Sequence, residues 1–163
     1  MNEQDQSSQT ATDLLFMREA VAVGRETDNP NFKTDPADGV GAILVMDGKE
    51  LARSANVVPP QLKKLLTSGE LVLTPETIPA YIEHSERAAI YTAVAAERPV
   101  KGATMYSTRF PCAECARAMV WSGVERLVVA RGFEGETTWR SSQEKALHIL
   151  NESGVPVRYL AHD

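Results

Sequence analysis

Two short runs of residues carry side chains able to do chemistry together: His84-Ser85-Glu86 and Pro111-Cys112-Ala113-Glu114-Cys115. Imidazole and thiolate are donors that suit zinc, and a carboxylate is a proton carrier. Cys112 and Cys115 span one helical turn, so both sulfurs can meet a single ion, with His84 supplying a third donor. Three protein ligands leave a tetrahedral zinc one open position. Structural zinc sites are usually closed by four protein ligands, whereas catalytic ones keep a water that loses a proton near neutral pH. Glu86 lies two residues beyond His84 and cannot easily share its coordination position. It is expected beside that water, taking its proton, protonating a ring nitrogen and passing a proton to a leaving amine. The chemistry expected of such a centre is hydrolysis with an amine as leaving group.

Each signal alone has a duller reading. A lone histidine on a helix is mostly a packed or solvated residue, C-x-x-C in an α/β protein can be a redox pair, and H-x-E can be a helix opening with an acidic first turn. Together they say more. Both runs are predicted to open helices, where free N–H groups and the positive dipole end lower a thiol pKa. A redox pair would leave His84 and Glu86 unexplained. The joint pattern H-x-E…P-C-x-x-C is the signature of zinc nucleobase deaminases.

These residues need elements to hold them. Met1 to Thr10 is polar and reads as a tail, leaving residues 1–11 outside a single domain over 12–163. Thr12-Asp13 can cap a helix through Leu14, Leu15, Met17, Ala20, Val21 and Val23, with Gly24 near its end. Asp28 to Asp38 is a polar loop. Gly39 to Met46 reads as a strand, Asp47-Gly48 as a hairpin turn and Leu51 to Val58 as the returning strand. Gln61 to Tyr81 is a long connection of the kind that serves as a lid, with a short helix near Gln61 to Thr67. His84 to Glu97 has helical spacing, with Ala88, Ala89, Tyr91, Thr92, Val94 and Ala95 as its expected buried side. Ala103 to Thr108 is a strand, Ala113 to Ser122 a helix ended by Gly123, and Arg126 to Ala130 a strand. Gly132 to Thr138 is a loop, Ser141-Ser142 cap a helix to Asn151, and Val155 to Leu160 is a last strand. The order predicts a three-layer α/β/α sandwich on a mixed sheet of about five strands.

The net charge of -5 and pI of about 5.3 argue against holding DNA or RNA through the phosphate backbone, which needs a basic face. A small anionic substrate needs just one or two well-placed cations. No run approaches the roughly 18 apolar residues of a membrane span, and the first residues lack the basic and apolar regions of a secretory signal. With two closely spaced cysteines, the expectation is a cytoplasmic protein with reduced thiols, a small-molecule partner, and neither membrane nor nucleic acid.

From His84 onward the chain resembles the deoxycytidylate deaminase family of the cytidine deaminase superfamily. The family's H-A-E-x-N-A-I is similar to His84-Ser85-Glu86-Arg87-Ala88-Ala89-Ile90, and its F-P-C-x-E-C-A to Phe110-Pro111-Cys112-Ala113-Glu114-Cys115-Ala116. Ser122-Gly123-Val124 also fits, and the early G-Y-N-G element resembles Ser54-Ala55-Asn56-Val57. The likeness runs over residues 14–160. It implies Zn2+ on His84, Cys112 and Cys115, proton transfer by Glu86, a substrate hydrogen bond from Asn56, and a homo-oligomer from dimer to hexamer. The substrate-facing set is expected to be Asn56, Ser85, Thr108, Arg109 and Phe110. Bottom-up, Asn56 can equally end a strand by capping a turn, and Phe110 can be core or stack on a base. Arg109 stands where the family carries an apolar side chain; it can bind a phosphate or carboxylate, or lie in a subunit contact. Ala88 replaces the family's asparagine, and the glycines and aromatic around Asn56 are absent.

The substrate expected first is dCMP, giving dUMP. The alternatives are the same chemistry on a free base, a nucleoside or another amino-heterocycle such as guanine or a pterin. Editing of tRNA or other nucleic acid, and a non-catalytic zinc domain, stand behind these. Trp139 and Arg140 can close over substrate or form a surface turn, the latter being preferred; Tyr81 can belong to a lid. His148 and His162 read as surface and tail, Lys63-Lys64 as a solvated face, and Met105 and Met119 as core.

Overall fold

A computed structural model describes residues 3–32, 39–132 and 139–160. The parts of the two polar loops at 33–38 and 133–138, and His162, lie outside the described residues. The elements are α1 (Glu3–Gly24), β1 (Gly41–Met46), β2 (Lys49–Ala55), α2 (Lys63–Ser68), α3 (Ile78–Tyr81), α4 (Ser85–Ala95), β3 (Thr104–Arg109), α5 (Ala113–Ser122), β4 (Arg126–Arg131), α6 (Arg140–Glu152) and β5 (Val157–Tyr159). The β1–β2 hairpin closes on Asp47 and Gly48, with φ of 51° and 71°, the pair of left-handed residues that matches strand twist.

The strands form one mixed sheet in the order β2-β1-β3-β4-β5. β1 is antiparallel to β2 and β3, while β3, β4 and β5 run parallel. Strand alternation sorts the core into two layers. Leu44, Met105, Leu127 and Val129 face Ala93 of α4, Met119 of α5 and Leu150 of α6. Ile43, Tyr106 and Val128 face Met17, Ala20 and Val23 of α1. Each large apolar side chain so buried contributes about 1.5–3 kcal/mol. The result is the expected three-layer sandwich. Among the described residues, no helix is long and apolar enough to cross a membrane.

Two expectations need correction. First, α1 begins at Glu3, well before Thr12-Asp13, so residues 3–11 are helical. The Thr10 and Thr12 hydroxyls donate back to the carbonyls of Gln6 and Ser8, and the Arg158 guanidinium donates to Thr10 Oγ1 at 2.8 Å. Asp13 is no cap: it is fully buried in mid-helix and accepts from Tyr106 Oη (2.8 Å), Arg158 Nη1 (2.8 Å), Gln9 Nε2 (3.0 Å) and Arg126 Nη2. Second, α4 turns a different stripe inward. Glu86, Ala89, Ile90 and Ala93 are buried, while Tyr91, Thr92, Val94 and Ala95 are exposed. Spacings of three and four from Glu86 define that stripe, and Glu86 must itself face inward.

Glycine sets how closely α1 approaches the sheet. A Cβ on Gly41 would stand 2.0 Å from the Ala20 carbonyl oxygen, and one on Gly39 2.0 Å from that of Gly24. The end of α1 therefore packs backbone on backbone against the start of β1.

Candidate active site

β3 joins the two helices that carry the chemistry. α4 leads into it and α5 leaves it, so both helices run antiparallel to β3 and begin at the same sheet edge. His84 immediately precedes α4 with extended backbone (φ -69°, ψ 145°), and Cys112 precedes α5 likewise (φ -77°, ψ 169°). Neither side chain caps its own helix. Caps come from elsewhere: Asn56 Oδ1, at the end of β2, accepts from the Ser85 N–H at 3.0 Å, and Ser142 Oγ from the Ala113 N–H at 3.1 Å. The serine expected to cap α6 thus serves α5. Arg87 ties the two helices together, donating to Glu114 Oε2 at 2.8 Å and to Glu83 Oε1 at 2.6 Å.

The freed side chains converge. His84 Nδ1 is 3.5 Å from Cys112 Sγ and 3.6 Å from Cys115 Sγ, and all three donor atoms lie within 4.8 Å of one another. Bond lengths of about 2.0–2.1 Å to nitrogen and 2.3 Å to sulfur on a tetrahedral zinc put two such donors roughly 3.5 Å apart. The donor set therefore fits zinc. The thiols are unequal. Cys112 is drawn down to about 3 by its hydrogen bond with Cys115 and by His84. The same bond, burial and the nearby Glu86 carboxylate push Cys115 well up. His84 is raised, chiefly by its bond to Cys112. That lowering favours the thiolate, the form in which a thiol binds metal.

Glu86 is 3% exposed and lies against this cluster. Its Oε2 accepts from Ser85 Oγ at 3.2 Å and stands 3.6 Å from Cys115 Sγ. Its Oε1 is 3.2 Å from Ser107 Oγ, whose single proton is divided between Glu86 and the Arg109 carbonyl at 2.8 Å. These partners are neutral, apart from whatever the thiol carries.

His84, Glu86 and Cys112 line a cavity of about 840 Å³. Asn56, Arg109 and Phe110 line it too; Ser85 and Thr108 do not. Ser85 is fully buried behind Glu86, and Thr108, one residue out of phase with Ser107 on β3, accepts from the Gly41 N–H at 3.1 Å. Both were expected at the substrate, and strand and helix phase turn them elsewhere. Phe110 is both wall and core, stacked on Tyr159 with centroids 6.1 Å apart and 13° between planes. Trp139, read as a surface turn, stands edge-on to His84 at 5.5 Å and lines the cavity. Arg140 does not line it and pairs with Glu144. From the long connection, Ile78, Pro79 and Ile82 reach the cavity, whereas Tyr81 is not in its wall. Sequence reasoning missed Ser107, Asn29, Arg117, Gln143 and Lys145. Alternation from Met105 could have found Ser107; the others depend on how α1, α5 and α6 meet the sheet.

The family model for the cytidine and deoxycytidylate deaminase zinc-binding region matches residues 10–131. The deoxycytidylate deaminase of Enterobacteria phage T2 is 34% identical over 140 residues, 77% of this chain and 71% of the phage protein. A probable cytosine deaminase of Schizosaccharomyces pombe is 25% identical over 140 residues, 84% of this chain and 72% of its own length. In structure, the dCMP deaminase of cyanophage S-TIM5, solved in complex with dCMP and dUMP, superposes with a TM-score of 0.67 at 18% identity, covering 98% of this chain and 99% of that one. With His84, Cys112 and Cys115 gathered beside Glu86 in a matched region that spans three quarters of its length, the chain belongs to the cytidine and deoxycytidylate deaminase family, a hydrolytic deaminase carrying that family's zinc-binding region.

Proposed function

We propose that the chain converts a cytosine nucleotide, dCMP, to dUMP and ammonia, with zinc on His84, Cys112 and Cys115 and with Glu86 as proton carrier. The observation that carries this reading is the three-donor cluster opening, beside a buried carboxylate, into the large cavity. Bound there, zinc supplies the Lewis acid that makes water a nucleophile near neutral pH. Glu86 takes a proton from the attacking water as oxygen bonds to ring carbon 4. The same carboxylate delivers that proton to ring nitrogen 3, then carries the C4 hydroxyl proton to the amine, which leaves as ammonia as the C–N bond breaks and the C4 carbonyl forms. Ser85 and Ser107 hold its two oxygens in place. Asn56 is anchored through Oδ1 on the Ser85 N–H, which supports its use as a fixed amide at the ring.

Arg109, Arg117 and Lys145 support a nucleotide over a free base, because they supply cations around the same cavity. The phage relative, named for deoxycytidylate, supports it as well. A free base is the second reading, favoured by the yeast relative named for cytosine. Ammonia release should be measured with dCMP, deoxycytidine, cytosine, guanine and a pterin. A pair of charge-assisted bonds to phosphate, about 1.5 kcal/mol each, sets an expected kcat/KM for dCMP roughly 100-fold above deoxycytidine. Equal values for the two would reject the nucleotide reading.

The proposal extends to a homo-oligomer in the cytoplasm. Reduced thiols as ligands support the compartment. On the outer surface of α4 and α5, Trp121 is 89% exposed with Tyr91 and Val94 also open, which supports self-association. Light scattering on Trp121→Glu should then give a smaller particle than the unaltered chain.

A further inference from the structure

The inner face of α6 changes character along its length. Ala146 and Leu150, one helical turn apart, are fully buried in the cluster that holds Ala116 and Met119 of α5. One turn earlier the same stripe becomes polar: Gln143 is 3% exposed and Ser142 is half-buried, with Trp139 next on that face. The Gln143 N–H donates to the Trp139 carbonyl at 2.9 Å, so the three side chains leave a single turn. An amide buried at the end of an apolar stripe needs a hydrogen-bond partner there.

All three reach the residues that gather the metal donors. Gln143 Nε2 donates to the Phe110 carbonyl at 3.1 Å, ahead of Cys112 in the chain. Ser142 Oγ accepts from the Ala113 N–H at 3.1 Å, immediately after Cys112. Trp139 stands edge-on to His84, ring centroids 5.5 Å apart. The backbone around Cys112 is thus bracketed from α6. Pro111, between Phe110 and Cys112, has no N–H with which to anchor the segment. Cys112 itself stands at the cap position of α5 with its sulfur turned to the donor cluster. Cys115, by contrast, lies inside α5, where the helix holds it. Cys112 is therefore the ligand whose place depends on tertiary contacts with α6.

We propose that Ser142 and Gln143 are positioning residues for the metal centre: they fix the backbone on either side of Cys112, so that its sulfur stays gathered with Cys115 Sγ and His84 Nδ1. The inference rests on zinc binding at those three residues. The test uses the full chain, stripped of metal and titrated with zinc against a colour-forming chelator. Ser142→Ala and Gln143→Leu should each bind zinc about tenfold more weakly than wild type, the scale expected when a group that orients a ligand is lost. Ser142→Thr keeps an acceptor oxygen and should stay within about twofold of wild type. Co2+ in place of zinc adds a signature that packing alone does not move. Its sulfur-to-metal absorption should weaken or shift in Ser142→Ala and return in Ser142→Thr. Gln143 is buried, so if Gln143→Leu does not fold, the two Ser142 variants decide. Unchanged zinc affinity and cobalt absorption in Ser142→Ala overturns the inference, as does an equal loss in Ser142→Thr. A wild-type chain that takes up no zinc overturns the metal centre itself, whereas variants that bind zinc as well as a zinc-binding wild type overturn this inference alone.

Discussion

The sheet buries a carboxylate against each of its faces, and the two are treated in opposite ways. Asp13, on the α1 side, is fully buried and meets two guanidiniums, a phenol and an amide. Glu86, on the side of α4 and α5, is nearly as buried but meets two serine hydroxyls and a thiol. A carboxylate ringed by cations is locked in place, and its use is to pin α1 across β3, β4 and β5. One held by neutral donors is oriented without a cation to lock it, which supports the proton-carrier role proposed for Glu86. The Asp13 cluster also raises Tyr106, mainly through burial and then the Asp13 bond, which keeps that phenol a donor.

The contrast is sharpest at Glu86. Glu86→Gln keeps the shape and loses the proton carrier, so turnover should fall about a thousandfold while melting temperature and zinc content hold. Activity near wild type, read as ammonia release, would erase the distinction. Asp13→Ala should do the reverse. It leaves two guanidiniums without their buried partner, and urea titration should show a loss of about 3–5 kcal/mol with turnover per folded molecule preserved. A smaller effect is expected for Ser107→Ala, which frees Glu86 Oε1. Losing one neutral hydrogen bond is worth about 1 kcal/mol, so kcat should drop several-fold with little change in stability. If Ser107→Ala instead unfolds the chain, the serine is a structural residue like the Asp13 partners.

What was legible in the sequence follows the same division. Each half of the site is local: Cys112 and Cys115 lie within one turn and His84 and Glu86 are two residues apart, so each half is recognisable by its spacing, while β3 brings the two halves together. The hairpin at Asp47-Gly48 and the end of α5 at Gly123 were legible for the same reason, since each rests on a left-handed residue. Asp13 was misread as a cap because its partners, Tyr106, Arg126 and Arg158, are more than ninety residues away and no local pattern announces them. Ser85 and Thr108 were placed at the substrate by nearness in sequence, yet the pleat of β3 and the turn of α4 aim their side chains elsewhere. For Trp139 the surface turn was preferred over closure on substrate because its place depends on how α6 docks onto α5.

The central claim is an open metal centre worked by a buried carboxylate. Its most direct test is ammonia release from dCMP by protein stripped of metal with a chelator, before and after one equivalent of zinc is returned. The expected result is no release by the stripped protein and recovery on adding zinc. Full release by the metal-free chain would contradict it.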